Sequence, residues 1–288
     1  MSYLEHIRAC NRWDPRQFVP FLLGNERVGR IRRDFRPFLQ QWPTVFRVEA
    51  EAVHWVHPAS DFAARTAVMG EVVEGLAARG AVSHLHGEKY PVTSGGRQRA
   101  HLLIDRACAP YFGVRAFGQH LNGFVRTAGG LKIWVARRSA DRRVYPNHLD
   151  NLVAGGLPWG VSLEENLRKE CREEADMPEA LATRAVPVSA VTYCRDSDRG
   201  LKPDVIYCYD LELPEGFEPR CNDGEVASFS LQPLEQVMET VRDTDEFKLN
   251  CNLVIIDFLI RHGCISQDAP DSVSYTHLTL PTTGHVCG

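Results

Sequence analysis

The 288-residue sequence contains no Cys-x-x-Cys pair, and its nine cysteines are odd in number and scattered. Such usage excludes a disulfide frame and a cysteine-ligated zinc site. Most of the thiols lie in apolar runs, as Cys208 and Cys251 do, and read as reduced core residues. Also missing is any run near the ~20 apolar residues that a membrane-spanning helix requires. Residues 1–12 lack the basic-then-apolar layout of a leader. A basic excess is absent as well: 33 Lys and Arg stand against 37 Asp and Glu, for a net charge of −4. That balance argues against a general nucleic-acid binder. The expectation is a cytoplasmic protein with neither nucleic acid nor membrane as partner. The local cluster Arg27, Arg30, Arg32, Arg33 and Arg36 reads as a solvated face of an N-terminal element.

What is present suits a folded globular chain, with 44% apolar and 24% charged residues. The length accommodates one large domain or two ordinary ones. Residues 1–110 read as a smaller α/β module. It has a helix over 3–13, a strand over 45–56 and a helix over 61–79 closed by Gly80. Residues 89–99, with Pro91, Gly95 and Gly96, read as a loop or hairpin tip. This part contains no motif that carries chemistry.

The second part, 111–264, interleaves strands and helices without a βαβ period. Strands are expected over 118–126, 131–136, 152–154, 188–193 and 204–213, and helices from Ser162, over 233–242 and over 249–262. The fold class is therefore α+β, an α/β/α sandwich with a mixed sheet. Residues 265–288 lose periodicity and read as a disordered tail. Within it, residues 274–283 also resemble translated sequencing-adapter sequence.

The informative stretch is Gly155-Gly156 followed by residues 162–177. Ser162 with Glu165 three residues on is a capping box, which starts a helix there, and Pro178 marks its end. At 3.6 residues per turn, Leu163, Leu167, Cys171 and Ala175 form one apolar stripe. Glu170 and Glu174 point nearly along that stripe and Glu173 flanks them, while Arg168 and Arg172 lie opposite. Like charges at this spacing repel even in water, and half-buried they are costlier still. A divalent cation removes the penalty. Mg²⁺, with Mn²⁺ as the alternative, takes an octahedron of oxygens from carboxylates, water and phosphate. The glycine pair lets backbone fold tightly against the helix and offer a carbonyl to the same cation.

This stretch resembles the Nudix box: Gly, five residues, Glu, seven residues, then Arg-Glu-apolar-x-Glu-Glu-x-Gly-apolar. Gly155, Glu170, Cys171, Glu173, Glu174 and Met177 fit in register. Val161, Lys169 and Asp176 depart from the pattern, and Val161 removes a carboxylate that in the family braces the loop. The segments 120–123, 134–139, 149–156 and 258–263 also resemble a two-domain Nudix branch related to thiamine pyrophosphokinase-associated proteins. The resemblance implies a Nudix sandwich preceded by an N-terminal module. It implies Mg²⁺-dependent hydrolysis of a small-molecule diphosphate, with thiamine diphosphate or its oxidised analogues as the branch's substrates. Glu170, Glu173, Glu174 and the Gly155 carbonyl would hold metal, Ala154 being the alternative carbonyl. Glu170, Glu174 and Glu225 would be catalytic. Arg137 or Arg138 would clamp phosphate, and Trp134 and His120 would line the pocket. Other readings stay open: a nucleoside-diphosphate-X hydrolase, a diphosphate isomerase on the same fold, or a non-catalytic binder. A role for the N-terminal module in shaping the pocket or forming a homodimer face also stays open.

Overall fold

The computed structural model describes residues 2–265, so the expected tail lies, from residue 266 onward, outside the described residues. The elements run α1 (Tyr3–Cys10), β1 (Phe18–Leu23), β2 (Glu26–Arg32), α2 (Arg36–Leu39), β3 (Phe46–Val48), β4 (Val53–Trp55), α3 (Phe62–Ala78), β5 (Lys89–Val92), β6 (Leu102–Asp105) and α4 (Ala109–Phe112). There follow β7 (Ala116–Thr127), β8 (Gly130–Arg138), β9 (Leu149–Asp150), β10 (Val153–Gly156), α5 (Leu163–Ala175), α6 (Glu179–Ala182), β11 (Val186–Ser197), β12 (Gly200–Glu212), β13 (Val226–Pro233), α7 (Leu234–Asp243) and α8 (Leu249–Arg261). Among the described residues no helix is long and apolar enough to cross a membrane.

The first part is built on a four-stranded sheet in the order β2-β1-β4-β3 and the separate hairpin β5-β6. Phe21, Ile31, Leu39, Val53, Met69 and Leu76 close its core against α3. The single strand expected over 45–56 is two strands, β3 and β4, paired antiparallel. The backbone reverses at 49–52, where Glu49 N–H donates to the Ala52 carbonyl. The loop or hairpin tip expected over 89–99 begins one strand early: β5 pairs antiparallel with β6, and the tip itself lies between them. The arginine cluster is not simply a solvated face. Arg33 pairs with Glu51 at 2.7 Å, and Arg32 reaches across to Asp196 and the Ser197 carbonyl on β11.

The second part carries a seven-stranded mixed sheet, β11-β12-β7-β8-β13, with β10 paired to β7 and β9 to β8. β7 runs antiparallel to β8 and β10 but parallel to β12. Side chains alternate along β7 and set two layers. Leu121 and Val125 pack with Leu167, Cys171 and Ala175 of α5. Phe124, on the other face, packs with Val254 and Phe258 of α8 and with Val237 of α7. The sheet is thus sandwiched between α5 and the α7–α8 layer.

One element crosses the expected boundary at residue 110. α1 joins the α7–α8 layer, where Ile7 and Cys10 enter the core. Tyr3 donates its hydroxyl to the Met238 carbonyl at 3.1 Å, and the Cys10 thiol faces the Leu249 carbonyl at 3.4 Å.

Candidate functional site

α5 starts where the capping box placed it. Ser162 Oγ accepts from Glu165 N–H at 3.1 Å, and Glu165 Oε2 accepts from Ser162 N–H at 3.1 Å. The helix ends at Asp176, whose backbone is left-handed with φ 49°. Between these caps the apolar stripe buries against the sheet, which fixes the directions of the three glutamates.

They do not share one environment. Glu174 is only 6% exposed, and its Oε2 accepts from Ala154 N–H at 2.8 Å. Burial pushes its pKa up to about 8, with the charges of Glu170, Asp150 and Glu225 adding to the rise. The Glu170 side chain, 13% exposed, is also raised by burial, against which Lys169 at 3.4 Å works. Glu173 sits at the rim, 38% exposed, and pairs with Lys169 at 3.0 Å. Two carboxylates therefore face inward and one stays at the edge.

The glycine pair is explained by close approach on both sides. A Cβ on Gly155 would lie 2.6 Å from Cγ and Oε2 of Glu170, so only glycine leaves that carboxylate its place. On the next residue the strand's other face is filled from the N-terminal module. A Cβ on Gly156 would lie 2.5 Å from the Tyr90 hydroxyl and 2.8 Å from the Arg106 guanidinium carbon.

The expected Gly155 carbonyl ligand needs correcting. Along a strand, the N–H and C=O of one residue point to the same side, and successive residues alternate. Ala154 N–H is turned to Glu174, so the Ala154 carbonyl shares that open edge. Gly155 is turned into the ladder with β7, its oxygen 3.1 Å from the position of a Cβ on Gly118. Ala154, not Gly155, presents its oxygen beside the glutamates.

The other expected residues divide. His120 pairs with Ala154 across the ladder but projects to the α8 face, away from α5. There it is buried, with Nδ1 2.8 Å from Asn151 Oδ1, and burial lowers its pKa to about 4. Its neighbour Asp150 accepts from Arg138 at 2.8 Å, Lys248 at 3.1 Å, Asn151 N–H at 3.0 Å and the Cys251 thiol at 2.7 Å. Burial pushes the Asp150 pKa up, but Lys248, His120 and Arg138 overrule it and hold the group at about 2. Among the described residues, His120, Asp150 and Cys251 are the group of three whose ligand atoms lie within 4.8 Å of one another; Glu170, Glu173 and Glu174 do not converge so closely. Yet Asp150 already has two cationic partners, and a metal there would face Lys248 and Arg138. The cluster is a completed polar core.

Arg138 is consumed by this core and by the Val144 and Tyr145 carbonyls, both at 3.0 Å, which removes it as a phosphate clamp. Arg137 is more open, donating to the Asn147 carbonyl at 2.7 Å. Trp134 packs half-buried in the α5 layer, its Nε1 enclosed without an acceptor among the described residues. Glu225, on the loop before β13, pairs with Arg142 and remains 38% exposed on its side chain.

N-terminal residues that no motif pointed to also reach this region. Arg106 donates to Glu88 at 2.6 Å, lies 5.7 Å from the Tyr90 ring centroid and abuts Gly156. Arg97 donates to the Pro158 and Val161 carbonyls in the loop leading into α5. Trp159 N–H in that loop donates to the Lys89 carbonyl at 2.8 Å, and its ring packs 5.6 Å from that of Phe62. The one available signal was Gly156, whose bareness marked a close approach without naming the visitor.

Comparison with known proteins places these features. The NUDIX domain family matches residues 122–251, and a family described as a domain of unknown function, DUF4743, matches residues 2–116. The chain is 39% identical to Nudix hydrolase 20, chloroplastic, of Arabidopsis thaliana over 96% of its length and 76% of that protein's. It is 41% identical to Nudix hydrolase 24, chloroplastic, of the same plant, covering 93% and 75% respectively. Those names place both relatives in the chloroplast, which differs from the cytoplasmic location expected for this chain. Among solved structures, the NUDIX domain of Shewanella oneidensis NrtR, a cocrystal with ADP ribose, aligns with a TM-score of 0.42 at 16% identity, over 52% of this chain and 90% of that one.

The buried histidine makes stability depend on acid. Its folded pKa, about 4, lies below the ordinary 6.5, so between those values the unfolded chain binds a proton that the folded chain refuses. Stability is expected to fall on acidification, with this residue contributing about 2 kcal/mol of loss from pH 7 to 4.5. Urea unfolding of the protein and of His120→Gln at both pH values checks this, and equal losses in the two would refute it.

Proposed function

The chain belongs to the Nudix hydrolase family and is a pyrophosphohydrolase, and from that premise we propose that it cleaves the diphosphate of thiamine diphosphate or its oxidised analogues to the monophosphate. Residues 111–264 then form the hydrolase unit, with α1 attached to its core, and the rest of 1–110 forms the module beside the site. The observation that carries the reading is the pair of inward carboxylates on one helix: Glu170 pressed against the bare Gly155 backbone and Glu174 buried on the Ala154 N–H.

A divalent cation fits this donor set. The candidates are hard oxygens, and Glu174 is pushed to about 8 by burial and by acidic neighbours, a penalty that a bound cation relieves. Glu170, Glu174 and the Ala154 carbonyl would hold Mg²⁺ or Mn²⁺, with Glu173 at the rim. When bound, the cation neutralises the diphosphate and makes water a better nucleophile towards phosphorus. Glu225 is open to water, and its charge is felt at Glu174; it is the group that takes the proton of the attacking water. Arg137, more open than Arg138, would contact phosphate. Trp134, in the α5 layer, offers a flat face to a heteroaromatic ring. The thiamine-type substrate is supported by the branch resemblance and by the paired N-terminal module.

Two substitutions test this. Glu174→Gln removes one inward charge and should lower Mg²⁺-dependent turnover by about 10²-fold or more while leaving the fold intact. Gly155→Ala should displace the Glu170 carboxylate and cost about tenfold, with a melting shift of only a few degrees. Release of monophosphate from a diphosphate panel, followed by mass detection, is the measurement. Equal turnover by wild type and Glu174→Gln would end the site assignment. Preference for a nucleoside-diphosphate sugar would move the substrate, and binding without turnover at saturating Mg²⁺ or Mn²⁺ would favour a binder.

A further inference from the structure

We propose that Arg97, from the N-terminal module, is a positioning residue for the hydrolase site, buckling the loop between β10 and α5 so that the glutamates of α5 keep their register on the Ala154–Gly156 backbone. The consequence for turnover rests on the functional reading above; the consequence for the loop does not.

The loop has little to hold it from within its own half. Leu157 N–H donates to the Phe117 carbonyl at 2.9 Å, and Ser162 opens the helix. Between them lie Pro158, which has no N–H, and Gly160, whose φ of 84° is the left-handed region. Val161 has no polar side chain with which to brace anything. The missing donors come from the other module. Arg97 is 8% exposed, and its Nη2 donates both to the Pro158 carbonyl and, at 2.6 Å, to the Val161 carbonyl. One guanidinium nitrogen thus pins both ends of a four-residue bend, immediately before the helix cap.

Arg97 is itself presented by a tied turn. Gly95 N–H donates to Thr93 Oγ1 at 3.0 Å, Thr93 Oγ1 donates to the Gly96 carbonyl at 3.1 Å, and Arg99 N–H donates to the same carbonyl at 3.0 Å. The guanidinium is buried with its Nε lacking an acceptor among the described residues, so its Nη2 contacts are what keep it there. Trp159, inside the bend, is held by the Lys89 carbonyl and the Phe62 ring, both from the same module. Every one of these contacts sets where α5 begins. The position of α5 sets how Glu170 meets Gly155 and how Glu174 meets Ala154. A shift of about 1 Å at such groups is enough to cost ~10²-fold in rate.

The test uses the full chain with Arg97→Met, which keeps the stem and removes the donors, and Arg97→Lys, which keeps a charge and a single donor group. Amide hydrogen exchange of residues 157–162 should quicken at least about tenfold in Arg97→Met, while residues 249–261 keep their protection. Turnover number should fall by roughly tenfold to a hundredfold, with KM within about threefold, and Arg97→Lys should recover part of the loss. Should Arg97→Met not fold, Arg97→Lys against wild type carries the same comparison. Unchanged loop exchange overturns the proposal, and so does a uniform loss of protection across the chain. An unaltered turnover number overturns it as well. If wild type hydrolyses no diphosphate, the functional reading fails by itself, and the exchange data still decide the role of Arg97.

Discussion

Two residues without side chains let groups close in on both faces of one strand, and the site is arranged around that approach. Gly155 admits the Glu170 carboxylate on one face of β10, while Gly156 admits the Tyr90 hydroxyl and the Arg106 guanidinium on the other. A Cβ on either would drive away a group that the site or its support needs. The helix and the N-terminal module thus approach the same backbone from opposite sides, and neither could close on it if the strand carried ordinary side chains. The loop held by Arg97 continues directly from this ribbon, so the anchoring of the module and the placement of α5 are one mechanical problem.

Two buried carboxylates show how partners, not burial, decide charge. Asp150 and Glu174 are both enclosed, yet one is held at about 2 and the other pushed to about 8. Asp150 has Lys248, Arg138, a thiol and a backbone N–H on its two oxygens. Glu174 has one backbone N–H and acidic neighbours. The first is finished chemistry that fastens α8 to the sheet. The second has a single hydrogen-bond donor and no cationic partner within hydrogen-bond reach among the described residues. Sequence position gave no warning, since the partners of Asp150 on α8 lie about a hundred residues away in the chain.

The helix α5 was readable because its signals are local: a capping box, a four-residue apolar repeat and a glycine pair at fixed offset all fall within about two dozen residues. Its inward Glu170 and Glu174 and the flanking Glu173 followed from the same geometry; the Lys169–Glu173 pair at the rim is the ordinary i,i+4 neighbour contact of a helix. His120 was expected at the pocket and projects instead to the α8 face, and the choice between Arg137 and Arg138 stayed open, for a different reason. Alternation along a strand says that neighbours face opposite ways, but not which face meets which helix. The β3–β4 reversal was missed because its turn, Glu49-Ala50-Glu51-Ala52, carries no glycine, proline, asparagine or aspartate to mark it. Arg97 and Arg106 were invisible because they act on residues 50 to 64 positions away.

The packing of α1 has a consequence for how the chain is made. This helix buries Ile7 and Cys10 against α7 and α8, and its contacts at Met238 and Leu249 lie 235 and 239 residues downstream. A polypeptide leaves the ribosome from its N-terminus at roughly 5–20 residues per second. This helix must therefore wait many seconds, its apolar face uncovered, until its partners around Met238 and Leu249 have followed it. The β1–β4 sheet and its α3 cover can assemble in the meantime, but the layer that α1 joins waits for α7 and α8.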